Sequence, residues 1–177
     1  MITIVSSTNR NDAVSYQISL LYQRILAERD VASEIINLND LPDDFTVSAL
    51  YENSGKNEAF NAFRAQMKAA QKYVFIVPEY NGSFPGVLKA FIDGLEYPHT
   101  FTNKKCALVG LSSGVQGAGL ALSHLTDIFN YCGMHVLALK PKLARIEANL
   151  SDGESFEIAN KLYMELLEQQ ADLLIGF

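Results

Sequence analysis

Apolar residues in this chain come in short blocks, separated by longer stretches in which they recur at helical spacing. The blocks run Ile2 to Val5, Ala32 to Leu38, Tyr73 to Val77, Lys105 to Leu111 and Met134 to Leu139, mostly apolar as strands covered on both faces should be. Between them Ile18, Leu21, Tyr22 and Ile25, then Phe60, Phe63 and Met67, then Leu88, Phe91, Ile92 and Leu95 mark one face of successive helices. Two more helices are predicted from Leu120 to Tyr131 and from Gly153 to Leu174. Ser151 and Glu154 form a capping box for the last, and Pro85 fits the first turn of the third. Such alternation from end to end is the signature of βαβ units and a parallel sheet. Five pairs in 177 residues suit a doubly wound sheet better than a barrel, which needs about 250. One domain over residues 1–177 is expected, since no repeat, linker or low-complexity stretch interrupts the pattern.

With 49% hydrophobic and 19% charged residues the chain can bury a sizeable core. Its 14 basic and 20 acidic side chains leave a net charge of −6. With no basic run, that argues against a protein that holds nucleic acid or an anionic membrane by bulk electrostatics. The span from Cys106 to Thr126 has no Asp, Glu, Lys or Arg, but its four glycines and its Ser112, Ser113, Gln116 and His124 make a poor lipid-facing helix. Strand, loop and helix are expected there instead. Met1-Ile2-Thr3-Ile4-Val5 lacks the basic and long apolar regions of a signal peptide. Cys106 and Cys132 offer neither a disulfide framework nor a CxxC motif. A cytoplasmic protein with buried, reduced thiols is the expectation.

In a doubly wound sheet a ligand sits beyond the carboxyl ends of the strands, where strand order reverses. The loops after Val5, Val77 and Leu111 are therefore the ones to read. The first, Ser6 to Ser15, has no glycine, so it is neither a GxGxxG fingerprint nor a P-loop. It crowds hydroxyls, amides and Arg10 at a helix N-terminus, where free N–H groups and the helix dipole favour an anion such as a phosphate monoester. Equally, Asp12 could cap that helix, with Arg10 paired to Asp12 or lying in solvent. The second loop, Pro78 to Gly86, turns at Asn81-Gly82 with positive φ, and Tyr80 and Phe84 could wall a flat ring or simply pack on neighbours. The third, Ser112 to Gly119, is rich in glycine and offers N–H donors to a close ligand.

Gly110-Leu111-Ser112-Ser113-Gly114 also matches GxSxG at a strand-to-helix turn, the place of a nucleophile elbow. A serine hydrolase built on Ser112 would need a triad. Asp127 and His135 follow in the required order, but one lies in a helix pattern and the other enters a strand. His99, His124 and His135 show no metal-ligand spacing.

Ser7-Thr8-Asn9-Arg10 after the first strand, the run Pro78-Glu79-Tyr80-Asn81-Gly82-Ser83 with Pro85-Gly86-Val87-Leu88-Lys89 and Ile92-Asp93 after the third, and the Ser/Gly loop after the fourth together resemble the NAD(P)H-dependent FMN reductase family. The resemblance implies an α/β, flavodoxin-like three-layer sandwich: a five-stranded parallel sheet of order 2-1-3-4-5 with helices on both faces. It implies FMN as bound cofactor and NADPH or NADH as donor. Thr8, Arg10 and Ser15 would bind the phosphate, with Ser7 and Asn9 shaping the loop. Members often carry a serine where this chain has Ala13; Ser15 is placed to supply the missing hydroxyl. Pro78, Glu79, Tyr80, Asn81 and Gly82 would lie along the flavin, and Ser112, Ser113 and Gly114 would line its pyrimidine end.

The implied activity is alternate reduction and reoxidation of FMN, with a flavin, quinone, azo compound or metal oxyanion as small-molecule acceptor and no catalytic side chain of the protein. A flavodoxin-like electron carrier without nicotinamide oxidation is the rival from another class, ahead of the hydrolase. No nucleic acid, membrane or metal is implied. A homodimer or homotetramer is, and the apolar residues between Leu41 and Tyr51 would then seek cover at an interface.

Overall fold

The computed structural model describes residues 1–151 and 156–177. The elements follow in the order β1 (Ile2–Ser6), α1 (Val14–Ala27), β2 (Ser33–Asn37), α2 (Phe45–Ser48), α3 (Glu58–Ala69), β3 (Lys72–Pro78), α4 (Gly86–Asp93), β4 (Lys105–Leu111), α5 (Gly119–Tyr131), β5 (His135–Val136), β6 (Lys142–Leu143) and α6 (Lys161–Gly176), with single 3₁₀ turns at Leu38–Asp40, Tyr51–Asn53 and Ile146–Asn149. All strand pairs are parallel, and the order is β2-β1-β3-β4-β5 with β6 also on β4. This is the flavodoxin-like sheet that the resemblance implies.

Alternate residues of each strand feed opposite faces. Val74, Ile76, Ala107 and Val109 pack against Ile18, Tyr22 and Ile25 of α1 and Leu167, Ala171 and Leu174 of α6. Phe75, Val77 and Leu108 pack against Phe60 and Met67 of α3, Phe91 of α4 and Leu122, Leu125 and Phe129 of α5. Both faces are apolar, so the central strands read as unbroken apolar runs. The stretch from Leu41 to Tyr51 finds cover within the chain. Leu41, Phe45, Ala49 and Leu50 are buried, Phe45 stacks on Phe60 at 5.5 Å, and only Val47 and Tyr51 of its large apolar side chains stay exposed.

Two predicted elements change. The fifth strand, expected as Met134 to Leu139, shortens to β5, which pairs with Lys105 and Cys106 at one end of β4, and beyond the expected bounds β6 pairs with Gly110 and Leu111 at the other. The chain leaves the sheet between them. Pro141 has no N–H for a ladder, and its carbonyl accepts from Gly110 N at 2.9 Å where the chain rejoins. The last helix starts at Lys161, not Gly153, with Asn160 as its cap, accepting from Tyr163 N. Gly153 and Glu154 lie outside the described residues, and Ser151 bonds to Glu157 instead.

The amino edge of the sheet is closed by the end of α6. Lys72 Nζ donates to the carbonyls of Leu174 and Ile175 at 3.0 and 2.8 Å, and Lys105 Nζ donates to that of Phe177. Cations suit a helix C-terminus. The opposite, carboxyl edge stays open. Among the described residues no helix is long and apolar enough to cross a membrane; the uncharged span Cys106 to Thr126 is β4, a loop and the start of α5.

Candidate functional site

At the carboxyl edge a cavity of about 440 Å³ opens where β1, β3, β4 and β6 end. The first loop contributes Thr8, Arg10, Asp12, Ala13, Val14 and Ser15, the second Pro78, Glu79 and Tyr80, the third Leu111, Ser112 and Ser113. Loops distant in sequence converge because parallel strands all release the chain at the same edge.

Thr8 and Ser15 are buried, and the hydroxyls of Ser15 and Ser6 stand 3.4 Å apart. Helix α1 begins after Ala13, whose side chain caps nothing; Tyr16 N bonds to Ala13 O at 2.9 Å, which leaves the N–H groups of Val14 and Ser15, both lining the cavity, without an acceptor among the described residues. Asp12 takes a positive φ of 52° in the turn before it rather than capping the helix. Arg10 is exposed and has no ion-pair partner among the described residues. The cap by Asp12 and its ion pair with Arg10 are thereby removed, while Arg10 does lie in solvent. What remains is a guanidinium, two hydroxyls and free amides at a helix N-terminus, a donor set that fits a phosphate.

Glu79 accepts from Ala118 N at 2.9 Å and its own N–H bonds to Leu111 O at 3.0 Å, which ties the second loop to the third. Tyr80 and Ser83 exchange backbone hydrogen bonds of 2.8 and 3.0 Å around Asn81 and Gly82, both at positive φ. This tight turn aims the Tyr80 hydroxyl at Thr8 Oγ1, 2.8 Å away. Thr8 also receives Arg10 N at 3.3 Å. The wall of the cavity and its anion end are thus one hydrogen-bonded unit.

Five of the expected residues stand behind or beside the cavity. Ser7 is buried with its hydroxyl on Val5 O at 3.2 Å, and Asn9 lines a separate small cavity with Leu38 and Phe45. Asn81 and Gly82 form the turn, and Gly114 accepts from Ser112 Oγ at 3.0 Å and Arg145 N at 2.8 Å. Gly117 of the third loop and Gly110 at the end of β4 serve close packing of the protein on itself, whereas Gly114 has open space where a Cβ would stand. A Cβ on Gly110 would meet Gly117 O at 2.3 Å, and one on Gly117, whose φ is 54°, would meet Lys142 at 2.8 Å.

A fourth loop escaped the sequence reading. Ile146 and Glu147, just after β6, line the cavity. Ser112 N donates to Leu143 O and Ile146 N to Ser112 O, both at 3.1 Å. The signal was hidden because β6 is two residues long and carries no apolar run.

Ser112 has no base. Its hydroxyl donates to Gly114 O and accepts from Gly117 N at 2.9 Å. His135 pairs with Lys105 at the other end of β4, and His124 bonds to Ser83. The GxSxG match is a loop brace, not a nucleophile elbow.

A larger cavity, about 620 Å³, lies away from this edge between α4 and α5. Its walls are mostly apolar, with Ile92, Leu95, Phe101 and Ile128 at the floor and Tyr97 and Tyr131 stacked at 6.5 Å and both largely exposed, and Lys89, Asp93, Glu96 and Asp127 also line it.

A model of the NADPH-dependent FMN reductase family matches residues 1–141. The chain belongs to that family. With the family come its activity class, an FMN-dependent NAD(P)H oxidoreductase, and its cofactors, FMN and NAD(P)H. This FMN reductase family member is 31% identical over 157 residues to a 2-hydroxy-1,4-benzoquinone reductase from a Burkholderia species, covering 84% of this chain and 82% of that one. Its fold is that of FerB, a flavoenzyme NAD(P)H:(acceptor) oxidoreductase from Paracoccus denitrificans (TM-score 0.76, 21% identity, 99% and 94% of the two chains). It is also that of a flavodoxin from Streptococcus pneumonia TIGR4 (TM-score 0.62, 12% identity, 99% and 96%). Reductases and flavodoxins share the fold, so family membership, not architecture, separates the enzyme from the carrier.

Proposed function

We propose that the 440 Å³ cavity is the FMN site of one domain spanning residues 1–177. Thr8, Arg10, Ser15 and the first turn of α1 hold the phosphate, with Ser7 and Asn9 shaping the loop. Pro78, Glu79, Tyr80, Asn81 and Gly82 flank the ring, and Ser112, Ser113 and Gly114 meet its pyrimidine end. The observation that carries this reading is an Arg10 without an ion-pair partner among the described residues, in the same cavity as three loops tied together through Tyr80 and Glu79.

The bound group supplies hydride acceptance from nicotinamide and electron transfer to an acceptor. The protein's residues bind and orient it, and the reaction requires no side chain of theirs as acid or base. Among the acceptor classes the benzoquinone reductase relative favours quinones. The apolar groove between α4 and α5, with Tyr97 and Tyr131 exposed, is a face for a second copy in a cytoplasmic homodimer or homotetramer.

The test is an absorption spectrum of the purified protein before and after anaerobic NADPH. Flavin bands that bleach on addition support the reductase. Bands that persist point to a carrier, and a colourless protein that takes up no FMN removes the cofactor site.

A further inference from the structure

Glu147 sits in the cavity far from the phosphate end. Arg10 follows β1 and Glu147 follows β6, which stands beside β4. Strands β3 and β4 intervene, so the two loops are three strand spacings apart, about 14 Å.

The carboxylate is exposed and has one side-chain partner among the described residues. Its Oε1 accepts from Ser113 Oγ at 2.7 Å. The segment carrying it is bound to the third loop through Arg145 N on Gly114 O and Ile146 N on Ser112 O. Asn149 closes the turn behind it, donating to the carbonyls of Ala144 and Arg145 at 3.3 and 2.9 Å. The other oxygen, Oε2, has no partner among the described residues. Glu79, the other carboxylate near this end, already receives Ala118 N.

An ionised carboxylate only accepts hydrogen bonds, so the group it recognises must donate. The phosphate end of the cavity presents Arg10 and two hydroxyls beside the Asp12 carboxylate; this end adds the open oxygen of Glu147 to the N–H groups of the third loop. Oxidised isoalloxazine has a single ring N–H, at N3 on its pyrimidine edge. Resting on the FMN reading above, we propose that Glu147 accepts the N3–H of the flavin, with Ser113 as the residue that positions the carboxylate. The pair selects a ligand with phosphate at one end and an N–H at the other, and rejects ring systems whose far edge carries only acceptors.

The probe is 3-methyl-FMN, which keeps the phosphate and the ring but replaces that proton with a methyl group. Apoprotein is titrated with it and with FMN, following flavin fluorescence. A hydrogen bond to a charged group corresponds to about 10- to 150-fold in dissociation constant, and unmodified protein is expected to prefer FMN by that order. Glu147→Ala should bring the two affinities within about threefold by weakening FMN and admitting the methyl group. Glu147→Gln, which keeps an acceptor oxygen without the charge, should fall between, as should Ser113→Ala. Equal affinity of the unmodified protein for both ligands overturns the proposal, as does equal weakening of both by Glu147→Ala. Failure of the unmodified protein to bind FMN at all overturns the cofactor reading on which the proposal stands.

Discussion

The side-chain amide of Gln170 donates to the backbone carbonyl of Leu108 at 3.0 Å, in the middle of a parallel sheet. Leu108 lies on β4 beside the gap between β5 and β6, where no neighbouring strand continues the ladder. The same amide donates to Leu139 O at 2.8 Å, and its oxygen accepts from the Tyr22 hydroxyl at 3.2 Å. One buried glutamine on α6 therefore replaces the missing piece of a strand. That gap lets the chain re-enter at β6 and place Glu147 in the cavity.

Replacing Gln170 by Leu keeps the volume but strips partners from Leu108, Leu139 and Tyr22. Each buried polar group left unsatisfied costs about 1–3 kcal/mol, so a loss of about 3 kcal/mol or more is expected. Urea unfolding measures it. A loss below about 1 kcal/mol would mean that water enters the gap and the network is dispensable.

Arg10→Ala should weaken FMN binding by about 10- to 150-fold while leaving riboflavin binding nearly unchanged, because riboflavin lacks the phosphate that the guanidinium is proposed to meet. Parallel fluorescence titrations decide it. Equal losses for the two ligands would assign Arg10 to loop structure.

Ser112→Ala should leave NADPH oxidation with a quinone acceptor within a few-fold, since flavin chemistry uses no serine nucleophile. The variant should lose about 1 kcal/mol of stability, because Gly117 N loses its acceptor. Esterase activity that vanishes with the hydroxyl would restore the hydrolase.

Burial pushes up the Cys106 thiol and the hydroxyls of Tyr22 and Tyr73, each shielded from solvent. Their folded-state values lie above the unfolded ones, so the native state binds more protons and their contribution is complete below the unfolded pKa and lost above it. For the thiol the loss begins near pH 8.5 and runs at up to about 1.4 kcal/mol per pH unit; the tyrosines follow near pH 10. Lys72 and Lys104, pushed down by burial, act with the opposite sign just below the ordinary lysine range. The thiol is best read between pH 8.5 and about 9.5, by comparison with Cys106→Ala. An unchanged slope in that variant counts against the assignment.

Light scattering of the purified protein should give a dimer or tetramer at micromolar concentration. Tyr131→Glu, which puts a charge in the apolar groove beside Tyr97, should shift it toward monomer with the fold intact by circular dichroism. A protein that is monomeric before the substitution leaves the groove without a second copy.

The apolar runs of β3 and β4 were legible because strands buried on both faces tolerate almost no polar residue. The first three candidate loops followed from the ends of β1, β3 and β4. The run from Pro78 to Asp93 carried the family, since its turn and helix start lie within one continuous stretch of chain.

Tertiary structure decided what depends on contacts distant in sequence. Met134 to Leu139 has the composition of a strand, yet only His135 and Val136 pair within it. The remainder bulges because Gln170, on a helix more than thirty residues away, satisfies the carbonyls left open. Local pattern cannot report that compensation. Glu147 likewise reaches the cavity through the pairing of β6, a two-residue strand whose hydrogen bonds come from Gly110 and Ser112 rather than from any apolar signal of its own. The division is physical: burial leaves a periodic trace along the chain, whereas a backbone hydrogen bond is available to every residue type and leaves none.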